Sequence, residues 1–383
     1  MNDVHFIADR QALNDICVQL RDSAWLALDT EFIREKTYYP QLALLQVSNG
    51  ESIYCIDPLA IDDLLPFYTL LENTAITKVL HAASQDLEIY YCQRGCLPGP
   101  VFDTQIAASL LGLGEQIGYA TLVKKLLNIE LDKSHARTDW MRRPLHDEQL
   151  RYAADDVRYL SRLYPLLYSK LEKLNRLRWL DDESERLLNP ATYTPDPPNS
   201  WRRIKGAGKL RRKQLNILRH LAAWREQQAI QNNRPRRWIL SDEALLNLAM
   251  LRPADHEALL RVRLLERKFA ERHAAELLAL IKQAADETED NWPRLDHSRK
   301  PNAHEEATID MLMAVAHLCA DEHQLSPGQI TSRSELLKLV RNERNLPLLN
   351  GWRLHVAGEK ILNTYLGKLQ LVCEQGRIAL KSV

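Results

Sequence analysis

A mixed α/β domain followed by two helical blocks is the fold class that this sequence predicts, and three observations carry it. Strand-like and helix-like patterns alternate over the first 110 residues, an Asn49-Gly50 turn separates two strand candidates, and periodicity lapses in two proline-flanked polar stretches. The chain of 383 residues is also too long for one ordinary core, so two or three domains are expected. Trp25-Leu26-Ala27-Leu28, Leu42-Ala43-Leu44-Leu45-Gln46-Val47 and Ile53-Tyr54-Cys55-Ile56 read as strands. The Asn49-Gly50 hairpin makes the sheet mixed, with antiparallel as well as parallel pairs.

Beyond residue 103 the pattern turns helical. Leu150, Ala153, Ala154, Val157, Leu160, Leu163, Leu167 and Leu171 form an apolar stripe at 3.6-residue spacing, which marks a core face. Asn189-Pro190 through Asn199 reads as a linker that ends the first domain at about residue 200. A helical block follows over 209–288, with an N-cap at Ser241-Asp242-Glu243 and a stop at Arg252-Pro253. Residues 286–301 read as a second linker, and a further helical block covers 302–383. The similar lengths of the two blocks suggest a duplicated module.

Net charge is zero, yet its distribution is uneven. Residues 1–200 carry 20 basic and 29 acidic side chains, residues 201–237 carry 12 and 1, and residues 238–383 carry 19 and 21. An acidic region joined to a strongly basic one suits a polyanionic substrate steered toward metal-filled carboxylates; a basic linker with a solvated helix face is the alternative. Arg211, Arg212 and Lys213 head the candidates for phosphate contact, with Trp201, Trp224 and Trp238 as stacking candidates.

No apolar run approaches the roughly 18 residues that span a bilayer, and the N-terminus has neither a basic start nor an apolar signal core. A cytoplasmic location without membrane contact is the expectation. Six scattered cysteines complete no zinc pattern and read as reduced thiols. Lys205-Gly206-Ala207-Gly208-Lys209-Leu210 lacks the first glycine of a P-loop, where Arg203 stands, and the Ser/Thr after its lysine, so no nucleotide cofactor is expected. Neither His-Glu-x-x-His nor Gly-x-Ser-x-Gly occurs, which removes zinc protease and serine hydrolase readings.

Acid-bearing segments carry the chemistry. In Leu28-Asp29-Thr30-Glu31-Phe32 strand alternation turns Asp29 and Glu31 to one side. Lys78 through Glu88 reads as a strand turning into a helix, with Asp86 near the helix start. In Arg151-Tyr152-Ala153-Ala154-Asp155-Asp156-Val157 an i,i+4 relation puts Tyr152 and Asp156 on one helical face and rotates Asp155 away, toward solvent. Brought together, such carboxylates make a pocket that hard divalent cations neutralise, and all-oxygen ligands favour Mg²⁺ or Mn²⁺ over zinc.

These segments resemble the three exonuclease motifs of the DEDD superfamily, tyrosine subclass, and their order and flanking words resemble the ribonuclease D family. The likeness covers nearly the whole chain: Asp-Thr-Glu-Phe at 29–32, Tyr-Tyr-Pro-Gln-Leu at 38–42, His-Ala-Ala-Ser-Gln-Asp at 81–86, Phe-Asp-Thr-Gln at 102–105, Leu-Asp-Lys-Ser at 131–134, Arg-Thr-Asp-Trp at 137–140, Arg-Pro-Leu at 143–145 and Tyr-Ala-Ala-Asp-Asp-Val at 152–157. Residues 221–226 and 234–242 resemble the HRDC module, and the block with Leu349-Asn350-Gly351-Trp352-Arg353 resembles a more divergent copy.

The resemblance implies an RNase H-like α/β exonuclease domain, a mixed sheet flanked by helices, over 1–200, followed by two all-α HRDC domains over 209–288 and 302–383. It implies a monomeric, metal-dependent 3′–5′ exoribonuclease that releases nucleoside 5′-monophosphates and trims tRNA precursors and other structured RNAs with 3′ extensions. Asp29, Glu31 and Asp156 would hold one of two Mg²⁺ or Mn²⁺ ions. Asp29 would also hold the second, with Asp86 supporting it directly or through water. Tyr152, a poor base at neutral pH, would orient the attacking water. Asp103 is either a support behind the ligands or a helix N-cap, His81 reads as a core histidine, and Tyr119 is a stacking candidate. Arg137, Asp139 and Trp140 either position the scissile end or serve structure. A DNA exonuclease of the proofreading or helicase-associated type is the rival reading, since it shares the carboxylates; a non-catalytic RNA-binding scaffold is a second, disfavoured by the complete acid set.

Overall fold

The computed structural model describes residues 4–132, 138–294 and 299–383. It divides into two compact units, one of Met1–Phe32, Leu42–Thr192 and Arg299–Val383, the other of Ile33–Gln41 and Tyr193–Ser298. The first unit is built on a six-stranded sheet of β1 (Val4–Ile7), β2 (Trp25–Ile33), β3 (Gln41–Ser48), β4 (Ile53–Ile56), β5 (Thr77–Leu80) and β6 (Val101–Asp103), in the order β1-β4-β3-β2-β5-β6. β1 runs parallel to β4, and β2, β5 and β6 are parallel neighbours, whereas β3 and β4 are antiparallel. The sheet is mixed, as the hairpin predicts. Asn49 makes the turn by accepting the Glu51 and Ser52 amides at 3.0 Å on its side-chain oxygen.

Helices flank the sheet: α1 (Arg10–Leu20), α2 (Leu65–Glu72), α3 (Ser84–Arg94), α4 (Thr104–Leu110), α5 (Tyr119–Leu127), α6 (Asp147–Lys173) and α7 (Leu177–Leu187). Helix α6 buries Ala153, Ala154, Val157, Leu160, Leu163, Leu167 and Leu171, the stripe read from the sequence. Lys78 is an exception to the apolar interior of the sheet. It is fully buried, and its ammonium donates to the carbonyls of Asn73, Ile76 and Gly99 at 3.0, 2.7 and 2.6 Å, tying together the loops before β5 and β6.

The C-terminal block belongs to this same unit. The second unit contains α8 (Arg212–Gln231), α9 (Arg236–Ile239), α10 (Asp242–Leu251), α11 (His256–Leu260) and α12 (Arg267–Asp286), and the C-terminal block contains α13 (Ala303–Glu322), α14 (Pro327–Ile330), α15 (Arg333–Val340), α16 (Gly351–Arg353) and α17 (Glu359–Tyr365).

 

Trp352 of α16 lies stacked on Trp179 of α7, with ring centroids 4.8 Å apart and planes 13° from parallel, and its indole N–H donates to Glu183 at 3.2 Å. Arg353 pairs with the same Glu183. Arg176 donates to the carbonyls of Leu110 at 2.7 Å and His323 at 2.6 Å, so one guanidinium ties the end of α4 to the end of α13. Gly112, at φ +70°, permits this approach, because a Cβ there would lie 2.1 Å from the Gln324 carbonyl oxygen. The block ends in a β-hairpin of β7 (Leu369–Glu374) and β8 (Arg377–Ser382), turned through Gln375 and Gly376 at positive φ. That hairpin adds strand to a block expected to be all helix. Its strands, Leu-Gln-Leu-Val-Cys-Glu and Arg-Ile-Ala-Leu-Lys-Ser, lack a clean apolar–polar alternation, so the period-2 signal that would announce a strand is weak there.

In the second unit, α8 packs on α10 and α12 around Leu218, Leu221, Leu245 and Leu277. Ser241 caps α10 by accepting the Ala244 amide at 3.1 Å, and Arg252 closes it at φ +51°. Trp201 and Trp224 are core residues here, 1% and 8% exposed, so neither serves the stacking role read for it from the sequence. Trp238, at 59%, stays open. No helix among the described residues is long and apolar enough to cross a membrane.

The stacked Trp179–Trp352 pair gives a stability test. Trp352→Ala is expected to cost the first unit about 3–5 kcal/mol, as large-to-small core changes do. A lowered urea midpoint for that unit is the expected result, and an unchanged midpoint would contradict the shared core.

Candidate active site

Strand β2 and helix α6 bring three acids to one place. Carboxylate oxygens of Asp29, Glu31 and Asp156 all lie within 4.8 Å of one another. Asp29 and Glu31 reach the cluster from one side of β2, and Asp156 comes from the third turn of a helix that is anchored by its long buried stripe. Among the described residues none of the three forms an ion pair with lysine or arginine. Partly buried carboxylates at this spacing repel one another, and an all-oxygen set of this kind fits a hard divalent cation.

Asp86 approaches from the first turn of α3 and is fixed by a hydrogen bond from the Thr30 hydroxyl at 2.5 Å. It stands outside the three-acid cluster while still acting on it electrostatically. Asp103 explains how α3 is held. Its buried carboxylate accepts the Ala82 and Ala83 amides at 3.1 and 2.8 Å and caps α4 through the Gln105 and Ile106 amides at 2.7 and 3.3 Å. The N-cap reading of Asp103 is the one these bonds bear out, and the same carboxylate also holds the residues that lead into α3. Ala82 needs this support because its backbone sits at φ +55°, an uncommon region for a residue with a Cβ.

Residues 4–172 match the family model described as 3'-5' exonuclease, and residues 214–281 match that of the HRDC domain. Ribonuclease D of Bartonella henselae is 39% identical over 95% of this chain and 90% of its own length, and that of Gluconacetobacter diazotrophicus is 37% identical over 98% and 96%. The chain belongs to the ribonuclease D family. A crystal structure of Escherichia coli RNase D, described as an exoribonuclease involved in structured RNA processing, matches with a TM-score of 0.84 and 32% identity over 95% of this chain and 99% of that one. The first unit thus contains the RNase H-like exonuclease core of a 3′–5′ exoribonuclease, and the helical region matched by HRDC lies in the second.

Within this ribonuclease D site, burial and mutual repulsion dominate the electrostatics. Burial, followed by the charges of Asp156, Asp86 and Glu31, pushes Asp29 well above the usual carboxylate range. Burial and the neighbouring Asp156 and Asp86 raise Glu31 to about 8. Asp156 rises to about 7, again chiefly by burial, and Asp86 to about 6, the Thr30 hydroxyl opposing the shift. Tyr152 is pushed up to about 12 by burial and the charges of Asp156, Glu31 and Asp29. Its phenol therefore keeps its proton at neutral pH.

The other candidates divide. Trp140 is buried, its ring 6.1 Å from that of Tyr152, so it backs the tyrosine from the core. Asp139 accepts the Met141 amide at 3.1 Å in a local turn. Arg137 lies outside the described residues. Tyr119 donates its hydroxyl to the backbone carbonyls of Asp155 and Asp156, which makes it a tether beneath α6. Asp155 pairs with Arg158 one turn along and does not stand free in solvent. Both ring nitrogens of His81 are partnered, by Thr104 at 2.9 Å and the Ile117 carbonyl at 3.1 Å, as suits a core histidine. Arg211 and Arg212 are exposed at the start of α8 with Lys213 half-buried beside them, and Arg212 donates to the Glu289 carbonyl at 2.9 Å.

Arg143 was read only as part of a family word, and its role emerges from the fold. It grips Asp57 with two bonds of 2.7 Å and donates to the carbonyls of Ala43 and Trp140, also at 2.7 Å. The segment that carries Trp140 is thereby bolted to β3. Thr30 was likewise missed, since a threonine between two acids has no pattern that announces a partner 56 residues away.

Raised carboxylate values mean that the folded chain keeps protons that the unfolded chain, titrating near pH 4, has lost. Stability of the metal-free protein is therefore expected to fall as pH rises from about 4 through the folded values of about 6, 7 and 8. Thermal unfolding in chelator across pH 5–9 checks this, and added Mn²⁺ should flatten the slope. A metal-free stability that rises over the same range would contradict it.

Proposed function

We propose that this chain shortens structured RNA from its 3′ end, including tRNA precursors with 3′ extensions, and that Asp29, Glu31, Asp86, Tyr152 and Asp156 carry the reaction. The supporting observation is the meeting of Asp29, Glu31 and Asp156 within 4.8 Å in a chain of the ribonuclease D family. Asp29, Glu31 and Asp156 would hold one ion, and Asp29, helped by Asp86, a second. Two Mg²⁺ or Mn²⁺ ions would supply an activated water and stabilise charge on the departing oxygen.

Hydrolysis breaks the bond between the last phosphorus and the penultimate 3′ oxygen, which takes a proton. Water's oxygen joins the phosphorus, so the product is a nucleoside 5′-monophosphate. Tyr152 keeps its own proton and acts as a hydrogen-bond donor that orients the attacking water, with Trp140 holding the ring in place. Residues 1–200, 209–288 and 302–383 would form the exonuclease and two HRDC modules, the last of them divergent. Arg211, Arg212 and Lys213 would add phosphate contacts at the start of α8.

Asp29→Asn or Asp156→Asn is expected to abolish turnover while leaving RNA affinity largely intact, because the change removes a metal ligand and spares the basic surface. Wild-type trimming by either variant would refute the assignment. Tyr152→Phe should slow the chemical step by roughly a hundredfold yet still bind Mn²⁺, which single-turnover kinetics and calorimetry measure. Matched RNA and DNA oligomers separate the DNA exonuclease reading: equal or faster degradation of DNA would favour it.

A further inference from the structure

The second unit holds a cavity of about 460 Å³, large enough for a nucleotide, that lies outside the carboxylate cluster. Five arginines line it against two acids, Glu35 and Asp242. Two of these arginines are already committed. Arg225, 4% exposed, pairs with Asp242 at 2.7 Å, and Arg236 pairs with the buried Glu226 at 2.5 Å. Arg34 is turned inward at its Nε, which donates to the Tyr38 carbonyl at 2.9 Å. Arg203 is exposed, and Arg237 is 79% exposed with only a loose 3.5 Å approach to Asp242. Beside them stands Trp238, the tryptophan of this unit's basic segment that the core leaves open.

The walls of this cavity are built rather than draped. Tyr38 donates its hydroxyl to Glu226 at 2.5 Å, Arg236 lies 4.9 Å over the Tyr38 ring, and Asn233 accepts the Tyr38 and Tyr39 amides at 3.0 and 3.1 Å. Residues 37–39 are thus locked to the end of α8 and the start of α9. Burial and the hydrogen bond to Glu226 keep the Tyr38 phenol protonated, so the latch holds across the working pH range. A fixed wall with two exposed guanidinium groups, one free to exchange a 3.5 Å contact with Asp242, and an open indole offers planar forks for phosphate oxygens and a flat face for a base.

We infer that this cavity seats an unpaired nucleotide of the RNA, with Arg203 and Arg237 on its phosphates and Trp238 stacked on its base. The inference rests on the exoribonuclease reading for the identity of the polyanion. It moves the main contact of the basic segment from Arg211, Arg212 and Lys213 to a site that also takes wall residues from 34–38. A single-stranded stretch is favoured over a duplex because paired bases present no free face to an indole.

The test is binding of a fluorescein-labelled single-stranded oligo(A) to the full chain in chelator, over a range of salt, by anisotropy. Arg203→Glu with Arg237→Glu should weaken affinity by roughly tenfold or more and flatten the log–log salt slope by about 1.4, two contacts' worth on a single strand. Trp238→Ala should weaken it by about fivefold or more on the single strand and leave a blunt duplex unaffected. Both variants alter exposed side chains, and unchanged thermal unfolding would show that they fold. Wild-type affinity and salt slope in the folded double variant would overturn the inference, as would equal losses for Trp238→Ala on single strand and duplex. The two readings fail separately. Metal-dependent cleavage of a trinucleotide judges the exoribonuclease reading and should be the same in wild type and variants, whereas the cavity is judged on binding alone.

Discussion

Mutual repulsion among acids held close in a partly dry place is the constraint on which the rest of this structure depends. Asp29, Glu31 and Asp156 would separate if their backbones were free to move, since burial and like charge both oppose their ionised forms. Each is therefore mounted on something that cannot yield. β2 lies inside the sheet between β3 and β5, and α6 is fixed by seven buried apolar side chains and by Tyr119 beneath its acidic turn. Asp86 is held in turn by Thr30 and, through Ala82 and Ala83, by Asp103. Local stability is given up at the cluster and recovered in its supports, as expected where function sets the arrangement.

Much of this was legible in the sequence because it rests on local geometry. Alternation along a strand placed Asp29 and Glu31 together, a helical turn placed Tyr152 beside Asp156, and the Asn49-Gly50 turn made the sheet mixed. What escaped was long-range. Nothing near Asp103 says that it will accept four backbone amides, and a lysine at position 78 gives no hint that its ammonium will be buried among three carbonyls. The burial of Trp201 and Trp224 was hidden for a related reason. Their basic neighbours suggest a solvated surface, yet Arg202 lies 4.8 Å over the Trp201 ring and Arg225, next to Trp224, is itself buried.

The C-terminal block shows the same limit at the scale of a module. Its polar, proline-flanked approach reads as a linker, which predicts separation, and yet its core residues belong to the hydrophobic cluster of the exonuclease unit. Trp352 on Trp179 and Arg353 on Glu183 make that attachment, and both partners lie about 170 residues away along the chain. The second unit keeps a core of its own and concentrates the arginines, so acid and base are segregated in the molecule as they are in the sequence. Segregation of that kind draws a polyanion toward the arginines and leaves metal ions for the acids.

Crystals grown with Mn²⁺ and measured at the manganese absorption edge test the central claim most directly. An anomalous peak in contact with oxygens of Asp29, Glu31 and Asp156 is the predicted result. Manganese bound elsewhere, with those three side chains spread apart, would contradict the account.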